Sequence, residues 1–310
     1  MHQRLKDILR VETNMFDSIV IGCGAAGMTA ALNILRNGKT VLLIEKESIG
    51  GQIASSPKVE NYPSIKEISG VDFSNNLFNQ ITDLGAELEF DEVTEVKKEN
   101  DIFKVKTVYN EFESKTVVIA CGAQHNTLNV PGIDKEGVSY CAVCDGAFYK
   151  GEEGTVIGDA NTALQYVLLL SNICKKVNLC MLFDRYFGEQ ILIDKVEKKE
   201  NVSIFKEISL VSVNGDSKMD SLTFKNTKTN ETLNINSKAV FIAIGQTPKT
   251  DIYKELVDRE KAYILTDEFM QTKTDGLYAI GDCRKKQVRQ LTTAESDAAI
   301  CAFNINRYLS

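Results

Sequence analysis

Two cysteines three positions apart carry the strongest chemical signal in this sequence. Cys141 and Cys144 form a C-x-x-C pair, and Asp145 follows directly. Two thiols at this spacing can close a small disulfide and exchange it with another disulfide, because a stabilised thiolate attacks sulfur. The carboxyl group of Asp145 could move the proton that a departing thiolate needs, although an ordinary turn aspartate would look the same. The pattern predicts a redox-active dithiol.

A metal site is a poor alternative interpretation of these cysteines. The chain has eight cysteines but a single C-x-x-C pair, and its two histidines are His2 and His125. A closed zinc site needs a second pair of ligands. The scattered remaining cysteines also do not resemble the disulfide framework of a small secreted protein. We expect no metal ion.

A glycine-rich turn follows the first apolar strand. Residues 22–27 fit G-x-G-x-x-G between the β-branched run at 16–21 and a helical stretch, and the next strand, at 39–45, ends in an acid. The glycines permit a tight turn and close backbone approach, the helix N-terminus holds a pyrophosphate, and the acid bonds a ribose. This pattern predicts a dinucleotide site at Gly22, Gly24, Ala25, Ala26, Gly27 and Glu45.

A second unit of the same kind begins further along the chain. A strand at 154–158 leads through a turn to a helix at 161–172 and a strand at 176–181. Each unit is followed by a further apolar strand, at 116–120 for the first unit and at 239–245 for the second, and the two strands have the same apolar pattern. Strand, turn, helix and strand in this order form a β-α-β unit, so the second half of the chain echoes the first.

The final helix, roughly 291–307, indicates how the two halves are connected. It follows a Gly281-Asp282 motif and would return to the first unit. We therefore predict an α/β fold of two Rossmann-like three-layer nucleotide-binding domains, the second inserted in the first. The expected parts are an N-terminal extension at 1–14, a discontinuous first domain at 15–124 and 247–310, and an inserted domain at 125–246.

Composition and charge exclude several functional classes. The 310 residues are 43% hydrophobic and 25% charged, which suits two packed globular domains. A formal net charge of −7 disfavours a general nucleic-acid surface. No apolar stretch approaches the roughly eighteen residues of a membrane span, and charges lie where a signal peptide would be apolar. We expect a cytoplasmic protein with no nucleic-acid or membrane partner.

The order of these motifs resembles the low-molecular-weight thioredoxin reductases, over nearly the whole chain from Phe16. The resemblance is carried by the segments at 22–27, 50–52, 61–63, 120–123, 141–146, 281–282 and 289–290. It implies that the first turn binds FAD, and it adds as cofactor-binding residues Gly51, Gln52, Asn61, Cys121, Gly122, Gly281, Asp282, Arg289, Gln290 and Leu291. It further implies a homodimer in which Asp282 holds the ribityl chain, Cys144 faces the flavin and Cys141 attacks the thioredoxin disulfide.

The sequence departs from this family where the family binds NADPH. That site resembles G-G-G-D-S-A after one strand and H-R-R-x-x-x-R after the next, with arginines on the 2′-phosphate. Here the arginine positions hold Leu182, Phe183 and Phe187. Charged hydrogen bonds contribute about 1.5 to 3 kcal/mol each, so their loss predicts weak NADPH binding. Asp159 and Ala160 oppose a pyrophosphate by charge and by bulk.

These departures favour the ferredoxin-dependent flavin thioredoxin reductases, a branch that the chain resembles. Reduced ferredoxin would then pass electrons through FAD and the Cys141/Cys144 pair to thioredoxin. Two related functions stay open: an NADPH-dependent thioredoxin reductase with an atypical site, and an NADPH-independent dithiol oxidase that uses oxygen. A flavin redox sensor without turnover is an alternative of another class. The expected docking surface for an acidic ferredoxin comprises Arg284, Lys285, Lys286 and Arg289.

Overall fold

The computed structural model describes residues 15–56 and 58–310. The expected N-terminal extension at residues 1–14 lies outside this described part. The chain divides into two compact units. Unit 1 comprises the described residues up to Ala123 together with Thr247–Ser310, and unit 2 comprises Gln124–Gln246.

A β-α-β unit occurs in each half of the chain, with further strands and helices around it. The strands are β1 (Met15–Ile21), β2 (Val41–Glu45), β3 (Glu87–Phe90), β4 (Val93–Glu99), β5 (Ile102–Thr107), β6 (Glu111–Ile119), β7 (Gln124–His125), β8 (Val138–Ser139), β9 (Glu153–Ile157), β10 (Lys176–Cys180), β11 (Val202–Phe205), β12 (Ile208–Asn214), β13 (Ser221–Asn226), β14 (Thr232–Asn236), β15 (Ala239–Ile242), β16 (Gln246–Thr247), β17 (Arg259–Glu260), β18 (Tyr263–Ile264) and β19 (Leu277–Ala279). The α-helices are α1 (Ala25–Leu35), α2 (Gly70–Thr82), α3 (Ala142–Asp145), α4 (Asn161–Leu170), α5 (Gln190–Glu197) and α6 (Leu291–Tyr308). Short 3-10 turns span Gly51–Ser55, Gly146–Tyr149, Asp251–Tyr253 and Gly281–Cys283.

Unit 1 is built on five parallel strands in the order β3-β2-β1-β6-β19. The second half of β6 pairs with β19, with Val117 opposite Leu277, whereas its first half pairs with the antiparallel β5, with Ser114 opposite Phe103. Both faces of β2, of β19 and of the second half of β6 are almost entirely buried, which explains their continuous apolar sequences, whereas β3 at the edge of the sheet is partly exposed. Helices α1 and α6 pack on one face, and the strands β4 and β5 turn toward the other.

Small residues let α1 and α6 approach each other closely. The buried face of α1 has Ala30, Ala31 and Ile34 at helical spacing, and that of α6 has Ala298 and Ala302. Alanine in these positions favours the helix and leaves room for a neighbouring backbone. The two helices therefore form one layer with a shared core against the sheet.

Unit 2 repeats this three-layer arrangement. Its parallel strands lie in the order β11-β10-β9-β15-β8, helices α4 and α5 cover one face, and the antiparallel strands β12, β13 and β14 cover the other. The prediction of two Rossmann-like α/β domains is confirmed. The helix expected at 161–172 ends earlier, at Leu170, and the strand expected at 239–245 ends at Ile242, ahead of Gly245 in the left-handed region (φ +90°).

A buried ion network ties α6 to the turn Gly281–Cys283. Asp297 is 5% exposed, and its Oδ2 accepts hydrogen bonds from Arg284 Nε (2.9 Å), Lys286 Nζ (2.9 Å) and the Gly281 N–H (3.0 Å). Its Oδ1 accepts a further bond from Arg284 Nη2 (3.0 Å). Burial alone raises the pKa of Asp297, but the hydrogen bonds from Arg284 and Lys286 outweigh it and lower that pKa overall. Asp297 is therefore ionised and holds the turn in place.

We expect Asp297→Ala to lower the free energy of unfolding by about 3–5 kcal/mol at pH 7, because two cations lose their buried carboxylate. The control Asp251→Ala removes the carboxylate that faces Arg259, and the Asp251 side chain is 89% exposed. That control should change stability by less than about 1 kcal/mol. Urea unfolding of both variants measures the contrast, and similar losses in the two would contradict it.

The effect of Asp297→Ala should also depend on pH. The folded-state pKa of Asp297 lies below the unfolded value of about 3.9, so its stabilisation is present above that pH and is lost as the pH falls through the folded-state pKa. Urea unfolding at pH 7 and at pH 3 should show the gap between wild type and variant becoming smaller in acid. A gap that is constant or grows would show that the carboxylate charge is not what stabilises the turn.

Candidate functional site

The three glycines of the turn after β1 have different structural roles. Gly22 has φ +111°, and a Cβ there would lie 2.3 Å from the Ala120 carbonyl oxygen. A Cβ on Gly27 would lie 2.0 Å from the carbonyl oxygen of Gly22. A Cβ on Gly24 would meet only Gly50 O, at 3.8 Å, and Gly24 has φ −81°. The fold therefore requires Gly22 and Gly27, whereas the missing side chain of Gly24 leaves space for a ligand.

Glu45 lies at the end of β2, beside this turn. Its Oε2 accepts a hydrogen bond from the Cys23 N–H and its Oε1 from the Glu47 N–H, each at 2.8 Å. The two backbone donors fix the carboxylate, and each oxygen keeps a lone pair for a further donor. This geometry fits the predicted bond to a ribose hydroxyl.

Gly51 and the short turn that it begins lie against the same place. A Cβ on Gly51 would be 3.5 Å from Cα of Gly24, so the two backbones adjoin. Gln52 follows in the same 3-10 turn, Gly51–Ser55. Of the other predicted residues, the structure puts Ala25 and Ala26 in the first turn of α1 and puts Cys121 and Gly122 directly after β6. These segments surround the turn that follows β1.

Asp282 has a buried carboxylate oxygen that accepts no hydrogen bond from the described residues. Within the described residues, its Oδ1 is buried without a hydrogen-bond partner. Burial raises the pKa of Asp282, although Lys286 and Arg289 act in the opposite direction. A buried carboxylate oxygen without a partner is costly, so a hydroxyl donor from a ligand would be strongly favoured here. The predicted contact with the ribityl chain fits this orphaned atom.

The start of α6 carries the remaining predicted cofactor residues. Gln290 caps the helix that begins at Leu291, and its Oε1 accepts a hydrogen bond from Asn61 Nδ2 (3.2 Å). Tyr62 and Glu295, which sequence reasoning missed, form a second bond between the same two segments. No local pattern could have revealed that bond, because its two residues are more than two hundred positions apart.

Arg289 precedes this helix and faces an aromatic ring. Its guanidinium lies 4.2 Å from the ring centroid of Tyr263. Its Nε is buried, with no hydrogen-bond partner among the described residues. Unit 1 thus has both an unsatisfied acceptor, at Asp282, and an unsatisfied donor, and both suit a polar cofactor.

The dithiol site lies in unit 2, where Cys141 and Cys144 are joined by a disulfide. Cys141 caps the four-residue helix α3, and the Cys144 N–H donates a hydrogen bond to Cys141 Sγ (3.1 Å). Cys144 is exposed and Cys141 is half-buried. The exposed turn makes the disulfide accessible to a partner.

Ser139 joins Asp145 to this disulfide, and sequence reasoning missed it. Its hydroxyl donates to Asp145 Oδ2 (2.6 Å) and accepts from the Cys141 N–H (3.0 Å). Ser139 ends β8, which lies beside β15 at the edge of the unit 2 sheet. A serine two residues before a C-x-x-C pair has no distinctive pattern, so only the folded structure identifies it. The link makes Asp145 part of the site, beyond an isolated turn residue.

Comparison with known proteins shows the family of this chain. Residues 16–298 match the family described as Pyridine nucleotide-disulphide oxidoreductase. The chain is 35% identical over 304 residues to a thioredoxin reductase of Bacillus subtilis, which covers 96% of each protein. The chain belongs to this family.

Two solved structures are similar to this member of the family. The thioredoxin reductase of Lactococcus lactis matches with 34% identity and a TM-score of 0.93, over 95% of this chain and 99% of that one. A ferredoxin-flavin thioredoxin reductase of Clostridium acetobutylicum matches with 25% identity and a TM-score of 0.53, over 95% of this chain and 98% of that one. FAD is the cofactor of the family, and the expected cofactor is confirmed.

Unit 2 of this oxidoreductase has a second glycine turn, after β9. Gly158 has φ +148°, and a Cβ there would lie 2.3 Å from the Ala243 carbonyl oxygen, so the fold requires this glycine. Ala160 precedes α4 and offers no side-chain cap. Burial raises the pKa of Asp159, which lies between them. A carboxyl group and a methyl group thus occupy the turn where a pyridine nucleotide pyrophosphate would approach.

The loop after β10 presents aromatic rings at the expected arginine positions. Leu182, Phe183 and Phe187 are 48%, 49% and 51% exposed, and the two phenylalanine rings meet edge to face at 5.4 Å. Arg185, the only cation of residues 182–189, lies 5.0 Å from the Phe187 ring. The Phe187 N–H donates to the Asp159 carbonyl oxygen (2.7 Å). This loop offers apolar ring faces where a 2′-phosphate site would have several cations.

The expected basic docking surface is corrected by the structure. The Lys286 side chain is 8% exposed and Arg284 is 16% exposed, and both pair with the buried Asp297. Lys285 pairs with Glu260 instead. The expectation was wrong because each of these cations has a carboxylate partner that is eleven or more positions away in the sequence. Arg284, Lys285 and Lys286 therefore do not form one positive surface.

Two features are absent from the part of the chain that the structure describes. Residues 15–56 and 58–310 contain no helix that combines the length and the apolar character needed to cross a membrane. In the same part of the chain, no three His, Cys, Asp or Glu side chains are placed to hold a metal ion together.

Gly24→Ala and Gly27→Ala should separate cofactor binding from folding. Gly24→Ala adds a methyl group facing the ligand space, so we expect FAD affinity to fall about ten-fold or more, equivalent to about 1.4 kcal/mol, with little change in the stability of the apoprotein. Gly27→Ala forces a methyl group against the Gly22 carbonyl and should cost about 1–3 kcal/mol of stability. FAD titration and thermal unfolding measure both, and unchanged FAD affinity in Gly24→Ala would mean that the cofactor lies elsewhere.

Proposed function

We propose that this chain is a thioredoxin-disulfide reductase whose Cys141/Cys144 pair reduces the disulfide of a thioredoxin. The observation that carries the proposal is the accessible disulfide of unit 2, linked through Ser139 to Asp145, in a chain whose unit 1 fits FAD. Relatives with 35% and 33% identity, from Bacillus subtilis and Treponema pallidum, are thioredoxin reductases by name. The predicted homodimer and cytoplasmic location remain expectations.

The reaction at the dithiol balances as two disulfide exchanges. The Cys141 thiolate attacks one sulfur of the partner disulfide, and the other partner sulfur leaves as a thiolate that takes up a proton. The Cys144 thiolate then attacks Cys141 Sγ, which restores the Cys141–Cys144 disulfide and releases the reduced partner. When bound, FAD supplies a carrier for the two electrons that reduce this disulfide again.

Asp145 is the proposed source of the proton for a departing thiolate. Its Oδ2 is held 2.6 Å from the Ser139 hydroxyl, which also accepts the Cys141 N–H. The serine therefore fixes the carboxyl group relative to the backbone of the exchanging cysteine. A carboxyl group held in this way near the C-x-x-C turn is suited to proton transfer in general acid–base catalysis.

An exposed aromatic side chain in the turn that follows the C-x-x-C pair favours a protein substrate over a small dithiol. Phe148 is 81% exposed and lies in the turn Gly146–Tyr149 that directly follows α3. An exposed aromatic side chain next to a reactive group is typical of a docking contact with a protein partner. A dithiol oxidase that acts on a small dithiol would not need this docking contact.

Rapid oxygen consumption with a small dithiol would support the dithiol oxidase alternative, and multiple turnovers would exclude a sensor without catalysis.

The assignment of the two cysteines is tested by trapping. Cys144→Ser should leave Cys141 able to form a stable mixed disulfide with a thioredoxin whose single active-site cysteine is activated as an aryl disulfide, the aryl thiol leaving, whereas Cys141→Ser should not. Non-reducing gel electrophoresis measures the adduct. Because Cys144 is the more exposed of the two cysteines, accessibility alone does not select Cys141. The reverse trapping pattern would make Cys144 the exchanging thiol.

For the electron donor, the comparisons favour a pyridine nucleotide over the ferredoxin that the sequence led us to expect. The matched family is described by its pyridine nucleotide, and the thioredoxin reductase of Lactococcus lactis, at 34% identity, is more similar than the ferredoxin-flavin enzyme, at 25%. We therefore propose the NADPH-dependent alternative, with an atypical nucleotide site, as the first candidate.

Ferredoxin is the second candidate for the electron donor, and its support comes from the residues at the nucleotide site of unit 2. Leu182, Phe183 and Phe187 provide no charge for a 2′-phosphate, and Asp159 and Ala160 occupy the glycine turn. Losing two or three charged hydrogen bonds would weaken NADPH binding by roughly 3–9 kcal/mol. The residues on unit 1 once expected to dock ferredoxin are largely paired or buried, so the docking surface is not assigned.

Anaerobic reduction of the purified flavoprotein distinguishes the two donors. For the first candidate, NADPH should bleach the flavin and sustain thioredoxin reduction, with a high KM because the cations are missing. A variant with Leu182→Arg, Phe183→Arg and Phe187→Arg should then lower that KM at least about ten-fold. No bleaching by millimolar NADPH, together with fast bleaching by reduced ferredoxin, would replace the first candidate with the second.

A further inference from the structure

A tyrosine hydroxyl from helix α4 reaches the C-x-x-C turn of unit 2. Tyr166 is 4% exposed, and its hydroxyl donates a hydrogen bond to the carbonyl oxygen of Tyr140 (3.1 Å). Tyr140 directly precedes Cys141, so this carbonyl belongs to the peptide group that joins the two residues. The two disulfide exchanges of the proposed reaction do not use Tyr166, yet its hydroxyl holds the backbone that leads into the exchanging cysteine.

Both polar atoms of this peptide group are bonded to side-chain hydroxyls. Its carbonyl oxygen accepts from Tyr166, and its N–H, which belongs to Cys141, donates to Ser139 Oγ (3.0 Å). The carbonyl oxygen of Cys141 itself accepts from the Asp145 N–H (3.1 Å). Ser139 and Asp145 belong to the same short segment as the cysteines, whereas Tyr166 lies 26 positions after Tyr140. The Tyr166 bond therefore ties the turn to the helix layer of unit 2.

Helix α4 gives this hydrogen bond a rigid support. The buried face of the helix, which packs in the same cluster as the Tyr166 ring, includes Ala163, Val167 and Leu170. Ala142, which follows Cys141, is 1% exposed and belongs to this cluster too. Packing thus fixes the Tyr166 ring, so its hydroxyl has little freedom to leave the carbonyl oxygen that it bonds.

We propose that Tyr166 is a positioning residue of the dithiol, which keeps Cys141 oriented toward Cys144 while the S–S bond between them is open. The inference rests on the proposed function and adds a residue to it. In the closed disulfide, the S–S bond itself fixes both sulfurs. In the dithiol, the direction of the Cys141 side chain depends on the peptide group before it, and the Tyr166 hydroxyl holds that group in one orientation.

The hydroxyl acts on the step that closes the disulfide. In that step the Cys144 thiolate attacks Cys141 Sγ, the bond between Cys141 and the partner sulfur breaks, and the partner sulfur leaves as a thiolate. The rate and the equilibrium of closure both depend on the effective concentration of one sulfur at the other. A Cys141 held in one orientation raises that concentration, because less conformational entropy is lost on closure. Loss of the hydroxyl should therefore favour the open dithiol and slow closure, without slowing the first attack on the partner.

The equilibrium is tested with Tyr166→Phe, which removes the hydroxyl and retains the packed ring. The FAD-loaded protein is equilibrated without oxygen in mixtures of reduced and oxidised dithiothreitol, its thiols are alkylated, and mass spectrometry gives the reduced fraction of the peptide that contains Cys141 and Cys144. We expect the equilibrium constant for disulfide formation to fall about five-fold, which raises the midpoint potential by about 20 mV. The control Tyr186→Phe removes a hydroxyl near Glu197 and should leave the midpoint unchanged. An unchanged midpoint in Tyr166→Phe, or an equal shift in the control, would overturn the proposal.

The rate is tested by mixing each protein, reduced with dithiothreitol and then freed of it, with excess thioredoxin disulfide and quenching in acid. In Tyr166→Phe we expect the mixed disulfide to form at the wild-type rate and to decay about five-fold more slowly. Equal slowing of formation and decay would contradict a role in closure. Failure of the wild type to react with thioredoxin would instead contradict the proposed function, and the redox titration, which uses no thioredoxin, decides on Tyr166 in either case.

Discussion

The shared carboxyl edge of a parallel sheet is the constraint on which the cofactor site depends. Strands β1, β2, β6 and β19 run in one direction, so the glycine turn, Glu45, Cys121 and Asp282 all follow strand ends on the same side of unit 1. This arrangement requires α1 to pack tightly behind the turn, and a side chain at Gly27 would clash with the Gly22 carbonyl. The close backbone contact between Gly27 and Gly22 therefore sets the position of the turn, and the polar groups of the site are placed around that turn.

Two carboxylates of unit 1, Asp297 and Asp282, differ in their role: the first stabilises the fold and the second fits ligand binding. Asp297 is buried and receives four hydrogen bonds, so it stabilises the turn that carries Asp282. Asp282 has a buried oxygen without a partner, which costs free energy in the absence of a ligand. Arg284 and Lys286 lower the pKa of Asp297, whereas Lys286 and Arg289 only partly offset the effect of burial on the pKa of Asp282. The carboxylate that holds the turn is thus fully hydrogen-bonded, and the other keeps a buried acceptor that fits the predicted contact with FAD.

Unit 2 shows that a repeated architecture does not dictate repeated chemistry. Its sheet, helices and antiparallel strands match the layers of unit 1, and Gly158 has the same structural role as Gly22. The residues at its strand ends differ, because aromatic rings and Asp159 stand where a dinucleotide site would have cations and glycine. Its clearest reactive feature is the Cys141–Cys144 disulfide, positioned by Ser139. Function therefore has to be argued from each site, and the layer arrangement alone is insufficient.

The sequence by itself determined what local physics controls. The glycine turns, the apolar strands and the C-x-x-C pair are readable because strand pairing, tight turns and dithiol spacing depend on residues close together in the chain. Only the tertiary structure decided which distant groups meet: Asn61 with Gln290, and Tyr62 with Glu295. It also reversed the interpretation of Lys286, which is buried against Asp297 and not displayed on the surface. Charge and exposure depend on partners brought together by sheet order and helix packing, and no short stretch of sequence encodes that order.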